Sequence, residues 1–179
     1  MRIAATGGGR HRINRNGMSC QIDLGIDLGA LGVTPISFDL QICSPTLGCA
    51  ANGEQDFPVL TEAQLPPGPS RPLRVVGRLT SVVRVAPSDI QFFANSRRDA
   101  SGHAEGEILL AAEDVTITNS GLCLAGNCIA SFDFNIQSDC VEPNDYLSAT
   151  ATTPGGYTSE FARCIRILAV DVIFTGDFG

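Results

Sequence analysis

The residues best suited to chemistry in this chain are its seven cysteines. A thiol can close a disulfide, hold a zinc ion or act as a nucleophile. Cys43 and Cys49 bracket five residues, and Cys123 and Cys128 bracket four residues that read as a tight hairpin loop. Either pair closes a local disulfide if its Cα atoms come within ~7 Å. The alternative is that the thiols are reduced and buried as small apolar side chains.

The odd number of cysteines leaves at least one thiol free, metal-bound or paired with another chain. Cys20 follows directly after a basic N-terminal segment, and this position suggests a disulfide between subunits. The candidate disulfide cysteines are Cys20, Cys43, Cys49, Cys123, Cys128, Cys140 and Cys164.

The usual motifs of metal-dependent and nucleophilic catalysis are missing. The chain has no C-x-x-C pair and only two His, so the common spacings of zinc ligands are absent. His11 lies in a glycine-containing N-terminal segment and His103 in a loop, and neither belongs to a Cys–His signature. The chain also lacks G-x-S-x-G and any Lys, which removes the serine-hydrolase elbow and the lysine of phosphate loops and Schiff bases. We therefore predict a protein that is not an enzyme and that uses no cofactor or metal.

Acidic residues crowd two regions, 105–114 and 139–145. Calcium takes about six to eight oxygen ligands, which such loops can supply. No EF-hand pattern is present, and a solvated acidic loop is the alternative interpretation. Carboxylate pairs that hydrolyse glycosides normally lie in clefts lined by aromatic rings, and a chain with no Trp and only two Tyr argues against that activity.

The basic residues are all Arg and are unevenly distributed. Residues 1–18 carry four Arg and no acid, a charge of +4, which leaves −11 for the rest of a chain with a net charge of −7. An acidic body repels nucleic acid and anionic membranes, so the expected partner is a second copy of the chain. We predict that residues 1–18 add to a neighbour's sheet edge while their arginines meet its acidic loops. The residues of this assembly arm are Arg2, Ile3, Arg10, Arg12 and Arg15.

Two other interpretations of the arm stay open, a frayed terminus and an arm that neutralises packaged nucleic acid. No stretch approaches the ~18 apolar residues of a membrane span. Residues 1–6 lead into three glycines without the apolar core of a signal peptide. We therefore expect neither membrane insertion nor export by a classical signal peptide.

Short β-strands must position these residues. Apolar residues fall on every second position in residues 21–28 and 36–42, the pattern of strands with one buried face. Residues 73–86 form the longest β-branched run, and one of its faces mixes Arg with Val, which indicates solvent or an interface. Further strands are predicted at 57–60, 107–112, 114–118, 129–137 and 163–174, and the expected core contains Ile22, Leu24, Ile26, Phe38, Leu40, Phe132 and Phe134.

One short helix is predicted among these strands. Ser88 to Gln91 match a capping box, and the helix would extend to Arg98. Residues 44–72 are rich in Pro, and residues 138–156 read as loop. The sequence thus predicts an all-β fold, an antiparallel β-sandwich with the jelly roll as a candidate topology. Its two parts are a flexible basic arm, 1–18, and a single β-sandwich domain, 19–179.

A short β-domain with many cysteines, a polar arm and no signal peptide resembles self-assembling surface proteins such as bacterial spore-coat and spore-appendage subunits, although no motif carries the likeness. The resemblance implies cross-linking after assembly. We predict a structural subunit of a homopolymer (a filament, spore coat or capsid-like shell) outside the cell or on its surface, with the cytoplasm as the alternative location. A monomeric β-sandwich module that binds carbohydrate or calcium is the alternative function, and an enzyme with no readable motif is a third hypothesis.

Overall fold

Strands account for nearly all the regular structure of the chain. The computed structural model describes residues 2–3, 10–18, 24–29, 31–36, 51–68, 71–82, 87–118, 122–124, 127–137 and 139–170. Within these residues there is no α-helix, and one 3-10 turn spans Ala51–Glu54. The strands are β1 (Arg2–Ile3), β2 (Asp27–Leu28), β3 (Val59–Leu65), β4 (Leu73–Val82), β5 (Ser88–Asn95), β6 (Ile108–Val115), β7 (Cys123–Leu124), β8 (Asn127–Ile136), β9 (Tyr146–Thr152), β10 (Ile165–Arg166) and β11 (Leu168–Ala169).

The strands form two main sheets that pack face to face. The four-stranded sheet has the order β10-β9-β5-β6 and is antiparallel throughout. The five-stranded sheet has the order β11-β3-β4-β8-β7, and all its pairs are antiparallel except β11 with β3. Residues of both sheets share one apolar core. The predicted all-β sandwich is therefore confirmed.

The pairing of β4 with β8 shows how the sequence builds this core. Leu73, Val75 and Leu79 are buried, all on odd-numbered positions, as alternation along a strand requires. The ring of Phe132 lies against its register partner Gly77, where an added Cβ atom would come within 2.5 Å of the ring. Position 77 therefore needs a residue without a side chain.

Aromatic rings connect the two sheets. Phe92 of β5 makes edge-to-face contacts with Phe132 and Phe134 of β8, at centroid distances of 5.9 and 6.1 Å. The rings of Phe132 and Phe134 stack on each other at 5.4 Å. Such pairs add stability beyond the area they bury, so this trio marks the centre of the sandwich.

The predicted core is confirmed for two of the four described residues and only in part for the other two. Ile26 and Phe132 are buried, and Leu24 and Phe134 are partly buried. Ile26 belongs to a second, smaller apolar cluster and not to the main core. The other predicted core residues, Ile22, Phe38 and Leu40, lie outside the described residues, as does nearly all of the predicted strand 36–42.

The outer face of β4 lies outside the core, in agreement with its mixture of Arg and Val. Arg74 lies between Glu62 and Asp133, at N–O distances of 2.9 and 2.7 Å. The hydrogen bond to Asp133 is the main cause that raises the pKa of Arg74. Exposed ion pairs of this kind contribute only ~0.2–1 kcal/mol each, so the sheet depends on its buried face for stability.

The predicted helix from Ser88 to Arg98 is wrong. Ser88–Asn95 form β5, which pairs with β6 on one side and with β9 on the other. A capping residue stabilises a helix by only about 1 kcal/mol. The strand buries Ile90 and Phe92 completely and bonds along both edges, so tertiary pairing overrides the local signal.

The predicted loop 138–156 is also wrong in part, because Tyr146–Thr152 form β9. This strand consists largely of Ser, Ala and Thr, which give no apolar alternation. The predicted strands 107–112 and 114–118 are one continuous strand, β6. Among the described residues of the predicted strand 21–28, only Asp27–Leu28 are paired.

The predicted C-terminal strand, 163–174, serves both sheets instead of one. Ile165–Arg166 pair with β9 of the four-stranded sheet, and Leu168–Ala169 pair with β3 of the five-stranded sheet. The fully buried Ile167 lies at the crossing point. The crossing therefore connects the two sheets at one end of the sandwich.

Candidate binding face on the four-stranded sheet

The outer face of the four-stranded sheet is covered, although a two-layer sandwich would leave it in water. In β5 the side chains on both faces are buried from Ile90 to Asn95. Ile90 and Phe92 belong to the main core. Gln91 and Phe93 lie on the opposite face and are buried because N-terminal residues contact them. The domain therefore has a third layer.

Residues 10–18 provide much of this layer and are called the strap below. The backbone N–H groups of the strap donate hydrogen bonds to the sheet and its loops: His11 to Oδ1 of Asn52 (2.8 Å), Ile13 to Oγ1 of Thr158 (2.9 Å), Arg15 to Oε1 of Gln91 (2.8 Å) and Met18 to the carbonyl of Gly106 (2.7 Å). We call these four acceptor residues the strap-binding face. The donors at 11 and 13 alternate as in an extended backbone, and the strap bends at Arg15, which has a left-handed backbone (φ 55°).

Asn52 binds the strap backbone at two points. Its Oδ1 accepts from the N–H of His11, and its Nδ2 donates to the carbonyl of His11 at 3.1 Å and to the carbonyl of Thr158. Asn52 is fully buried and has a left-handed backbone, φ 47°, which Asn adopts more readily than most residues. Its side-chain amide thus replaces the backbone partner that a neighbouring strand would provide.

A chain of hydroxyl and amide groups holds the centre of the strap. The hydroxyls of Thr152 and Thr158 are 2.9 Å apart, and Thr152 donates to Oδ1 of Asn14 at 3.2 Å. Nδ2 of Asn14 donates to Oδ2 of Asp89 at 3.4 Å. Because the one hydroxyl proton of Thr152 is donated to Asn14, the hydroxyl of Thr158 donates to Thr152 while it accepts from the N–H of Ile13. The polar groups under the strap are therefore mutually satisfied, as buried polar groups must be.

Apolar contacts complete the layer. The rings of Phe93 and Phe161 meet edge to face at 5.2 Å on the outer side of the sheet. Ile13 and Met18 of the strap pack against them. The buried members of this second cluster are Ile26, Leu28, Ala51, Phe93 and Phe161. The strap thus seals an apolar surface that would otherwise contact water.

Glu160 fastens residues 28–34 to the same side of the domain. The residue is only 2% exposed. Its Oε1 accepts from the N–H of Leu28 and the hydroxyl of Thr34, at 2.8 and 3.0 Å, and its Oε2 accepts from the N–H of Thr34 at 2.8 Å. Three donors compensate the cost of burying this carboxylate. A cavity of about 10 Å³ beside it has room for one water molecule.

The predicted arm residues lie in or beside this layer. Arg2 and Ile3 pair in parallel with Asp27 and Leu28. Arg10 lies over the ring of Tyr157, with its guanidinium carbon 5.8 Å from the ring centroid. In the described part of the chain the ion pairs involve only Arg71 and Arg74 on the basic side, and the exposed side chains of the strap, Arg10, Arg12 and Arg15, take part in none. In a single chain the strap is therefore held by its backbone, by Asn14, by the contact of Arg10 with the ring of Tyr157 and by apolar contacts.

One of the two predicted local disulfides is confirmed. Cys123 of β7 and Cys128 of β8 are register partners, with Cα atoms 4.0 Å apart, and they form a disulfide. Because β7 and β8 are adjacent antiparallel strands, the close spacing of the two cysteines in the sequence predicts their pairing. Of the other candidate cysteines, Cys140 is exposed and Cys164 is buried, and Cys20, Cys43 and Cys49 lie outside the described residues.

Cys164 has the properties of a protected thiol. Burial, and secondarily the charge of Asp99, raise its pKa from 9.0 to about 12, against a smaller opposing effect of Arg98. The thiolate, which is the reactive form, is therefore scarce near neutral pH. Because the folded pKa exceeds the unfolded value, the thiol favours the folded chain below about pH 9, and this contribution is lost as the pH rises toward 12.

We expect Cys164 to resist iodoacetamide in the native chain at about pH 8, because the thiol is both protonated and inaccessible. Peptide mapping by mass spectrometry measures its labelling. The same sample in concentrated guanidinium chloride is the control and should be labelled fully. Equal labelling rates in the two samples would show that Cys164 is reactive in the folded chain.

The remaining candidates for chemistry were His103 and a metal site built from acidic residues. The Nδ1 atom of His103 donates to the carbonyl of Phe161 at 2.7 Å, and its ring packs edge to face against Phe57. Within the described ranges, no group of three or more His, Cys, Asp or Glu is placed to hold a metal ion.

Sequence reasoning missed the residues of the strap-binding face. Asn52 is followed by Gly53 in the sequence, and an Asn-Gly pair favours a left-handed turn, so this one position carried a signal. Thr158 carried none, because its partner Ile13 is 145 residues away. Gln91 lies in the capping box at the start of the predicted helix, so its sequence context indicates a different role.

These features define a β-sandwich that binds an extended segment on the outside of one sheet. Comparison with protein-family models and with curated proteins finds no match for the chain. In the part of the chain that the structure describes, no helix has the length and apolar character needed to cross a bilayer.

Proposed function

We propose that this protein is a non-enzymatic structural subunit that assembles with copies of itself by exchanging residues 1–18. The strap-binding face is the observation that supports this proposal. It recognises an extended segment mainly through backbone groups, and it can make the same contacts to the strap of another copy. Exchange of identical elements is a low-cost route to oligomers, because contacts are replaced and not lost.

The charge distribution supports contacts between copies. Arg10, Arg12 and Arg15 are exposed on the strap, within a segment of charge +4 on a chain of net charge −7. Complementary charge increases association rates and sets orientation more than it sets affinity. We therefore assign the affinity to the backbone bonds and apolar contacts of the strap, and the orientation to its arginines.

Two further features are compatible with a surface polymer. The disulfide Cys123–Cys128 is of a kind that persists in oxidising surroundings such as the outside of a cell. In the described part of the chain, β6 has a strand neighbour only on the side of β5. An edge strand offers backbone groups to another chain, so β6 provides a second surface for contacts between subunits.

Sedimentation of the full chain over a wide range of concentrations tests the proposal. We expect species larger than one chain, and a regular filament or shell in negative-stain electron microscopy. A chain that remains monomeric at every concentration would contradict self-assembly. It would favour the monomeric module that binds carbohydrate or calcium, which direct binding measurements can then examine.

Replacement of the strap arginines should weaken assembly without unfolding the chain. With Arg10, Arg12 and Arg15 all changed to Gln, we expect the concentration needed for assembly to rise about tenfold, since each exposed charge pair contributes ~0.2–1 kcal/mol. The dependence on salt should also become weaker. Sedimentation at low and high salt measures both effects.

A matched triple variant controls for the loss of charge itself. Arg78, Arg97 and Arg166 are also exposed and do not belong to the strap, and their replacement by Gln removes the same charge. This control should assemble at nearly the same concentration as the natural chain. Equal effects of the two triple variants would mean that net charge, and not the strap, governs assembly.

A further inference from the structure

A groove of about 350 Å³ lies where residues 24–33 meet the loop 99–101. Its lining combines the apolar side chains of Leu24 and Val33 with two acidic residues, Asp27 and Asp99, and includes no basic residue among the described ones. Ligand sites in proteins range from ~300 to 1,000 Å³, so the groove has room for one long side chain. Its composition suits a cationic group on an apolar stem.

Asp27 is the member of this groove that points to a ligand. It is 5% exposed, and its Oδ1 is buried without a hydrogen-bond donor among the described residues. By contrast, Asp99 accepts from the hydroxyl of Ser101 and the N–H of His103, and the equally buried Glu160 has three donors. A buried carboxylate oxygen without a donor is costly to the folded chain. Such an oxygen therefore calls for a donor that the described residues of this chain do not provide.

We propose that the groove binds the guanidinium group of Arg2 from a second copy of the chain, with Asp27 as its buried acceptor. The inference rests on the proposed self-assembly and deepens it by naming the acceptor site. Guanidinium offers a planar fork of N–H donors that matches a carboxylate. Its aliphatic stem fits the apolar part of the groove, formed by Leu24 and Val33.

The pairing of β1 with β2 provides the register for this contact. Arg2 is the register partner of Asp27, and Ile3 that of Leu28. A strand that docks here in this register brings an arginine to the level of the acid. The single chain already makes this backbone pairing, yet Oδ1 of Asp27 has no donor among the described residues.

Two full-length variants separate the donor from the acceptor. Arg2→Ala removes the donor and keeps the groove, whereas Asp27→Asn removes the acceptor charge and keeps the arm. Each alone should raise the concentration needed for assembly at least tenfold. Asp27→Asn should also unfold at the same temperature as the natural chain or higher, because it removes a buried charge without a partner.

A mixture of the two variants provides the sharpest test. The intact arm of Asp27→Asn can enter the intact groove of Arg2→Ala, but no further subunit can be added at either end. At a concentration too low for either variant to assemble alone, we therefore expect sedimentation of the mixture to show a one-to-one dimer and no longer species. If Arg2 served only its own chain, mixing would produce nothing new.

Further variants guard against trivial explanations. Ala100→Trp fills the groove from its exposed rim without changing Asp27, so it replaces Asp27→Asn as the acceptor variant if that one fails to fold. It should lose assembly and form the same dimer with Arg2→Ala. The matched controls Arg78→Ala and Asp133→Asn change exposed residues and should each assemble like the natural chain.

The outcomes distinguish this inference from the proposed function. If the natural chain assembles and the variants assemble equally well, or their mixture stays monomeric, the groove inference is overturned while self-assembly stands. If the natural chain never assembles, both are overturned. Loss of assembly in each variant together with the one-to-one dimer supports both.

Discussion

Phe92→Ala is expected to lower the free energy of unfolding by about 3–5 kcal/mol, the usual cost of truncating a buried Phe. Phe92 is fully buried in the centre of β5 and contacts the rings of Phe132 and Phe134 across the sandwich. Its loss leaves a cavity that the neighbouring rings cannot fill by a small movement, because Phe132 is held against Gly77. Denaturant unfolding followed by far-ultraviolet circular dichroism measures the change, since the chain has no Trp.

Leu168→Ala is the matched control for this prediction. Leu168 is also a large apolar strand residue, but it is 56% exposed, so its truncation should change stability by only ~0.5 kcal/mol or less. Similar losses for the two variants would mean that Phe92 does not occupy the centre of the core.

Deletion of residues 1–18 is expected to give a folded monomer that is considerably less stable than the full chain. The strap donates four backbone hydrogen bonds to its binding face, together worth roughly 2–6 kcal/mol at 0.5–1.5 kcal/mol each. The deletion also uncovers Phe93 and Phe161, which form the apolar floor beneath the strap. We expect a lower unfolding midpoint in denaturant and stronger binding of a dye that reports exposed apolar surface.

Deletion of residues 1–9 is the matched control, because it removes β1 and leaves the strap in place. This shorter deletion should retain most of the stability and raise the concentration needed for assembly at least tenfold, as Arg2→Ala does, whereas the longer deletion should lose both stability and assembly. If deletion of 1–18 leaves the unfolding midpoint unchanged, the strap contributes nothing to the fold and its contacts are incidental.

The two strands that sequence reasoning placed best, β4 and β8, are those with clear alternation. Val75 and Leu79 are buried while Arg74 and Arg78 lie on the outer face, so period two was visible without knowledge of the partner strand. Phe132 was likewise assigned to the core on its pattern alone. For strands with one buried face, the hydrophobic pattern contains enough information.

The strands β5 and β9 were missed because both of their faces are buried. Gln91 and Asn95 are almost fully buried beside apolar neighbours. The alternation of polar and apolar residues therefore does not separate a buried face from an exposed one in this strand. In β9 the outward residues Ser148, Thr150 and Thr152 are small and hydrogen-bonding, and they resemble a loop in sequence. The cause is the third layer, which no local pattern reveals.

The candidate site was predictable only in outline. Charge counting draws attention to residues 1–18, since four Arg without an acid stand out in any acidic chain. The residues of the strap-binding face could not be found by counting charges. Asn52, Gln91 and Thr158 come together only through the fold, from positions scattered over more than a hundred residues.

The long sequence separations within the strap-binding face also set an order of events during synthesis. Arg15 must wait for Gln91, 76 residues later, and Ile13 must wait for Thr158, 145 residues later. At about 5–20 residues per second on the ribosome, the second interval lasts roughly 7–30 s. Throughout that time the nascent strap has no completed site in its own chain and is free to bind the strap-binding face of another chain whose own strap has not docked. Neighbouring ribosomes on one message would therefore favour the exchanged form over the self-docked form.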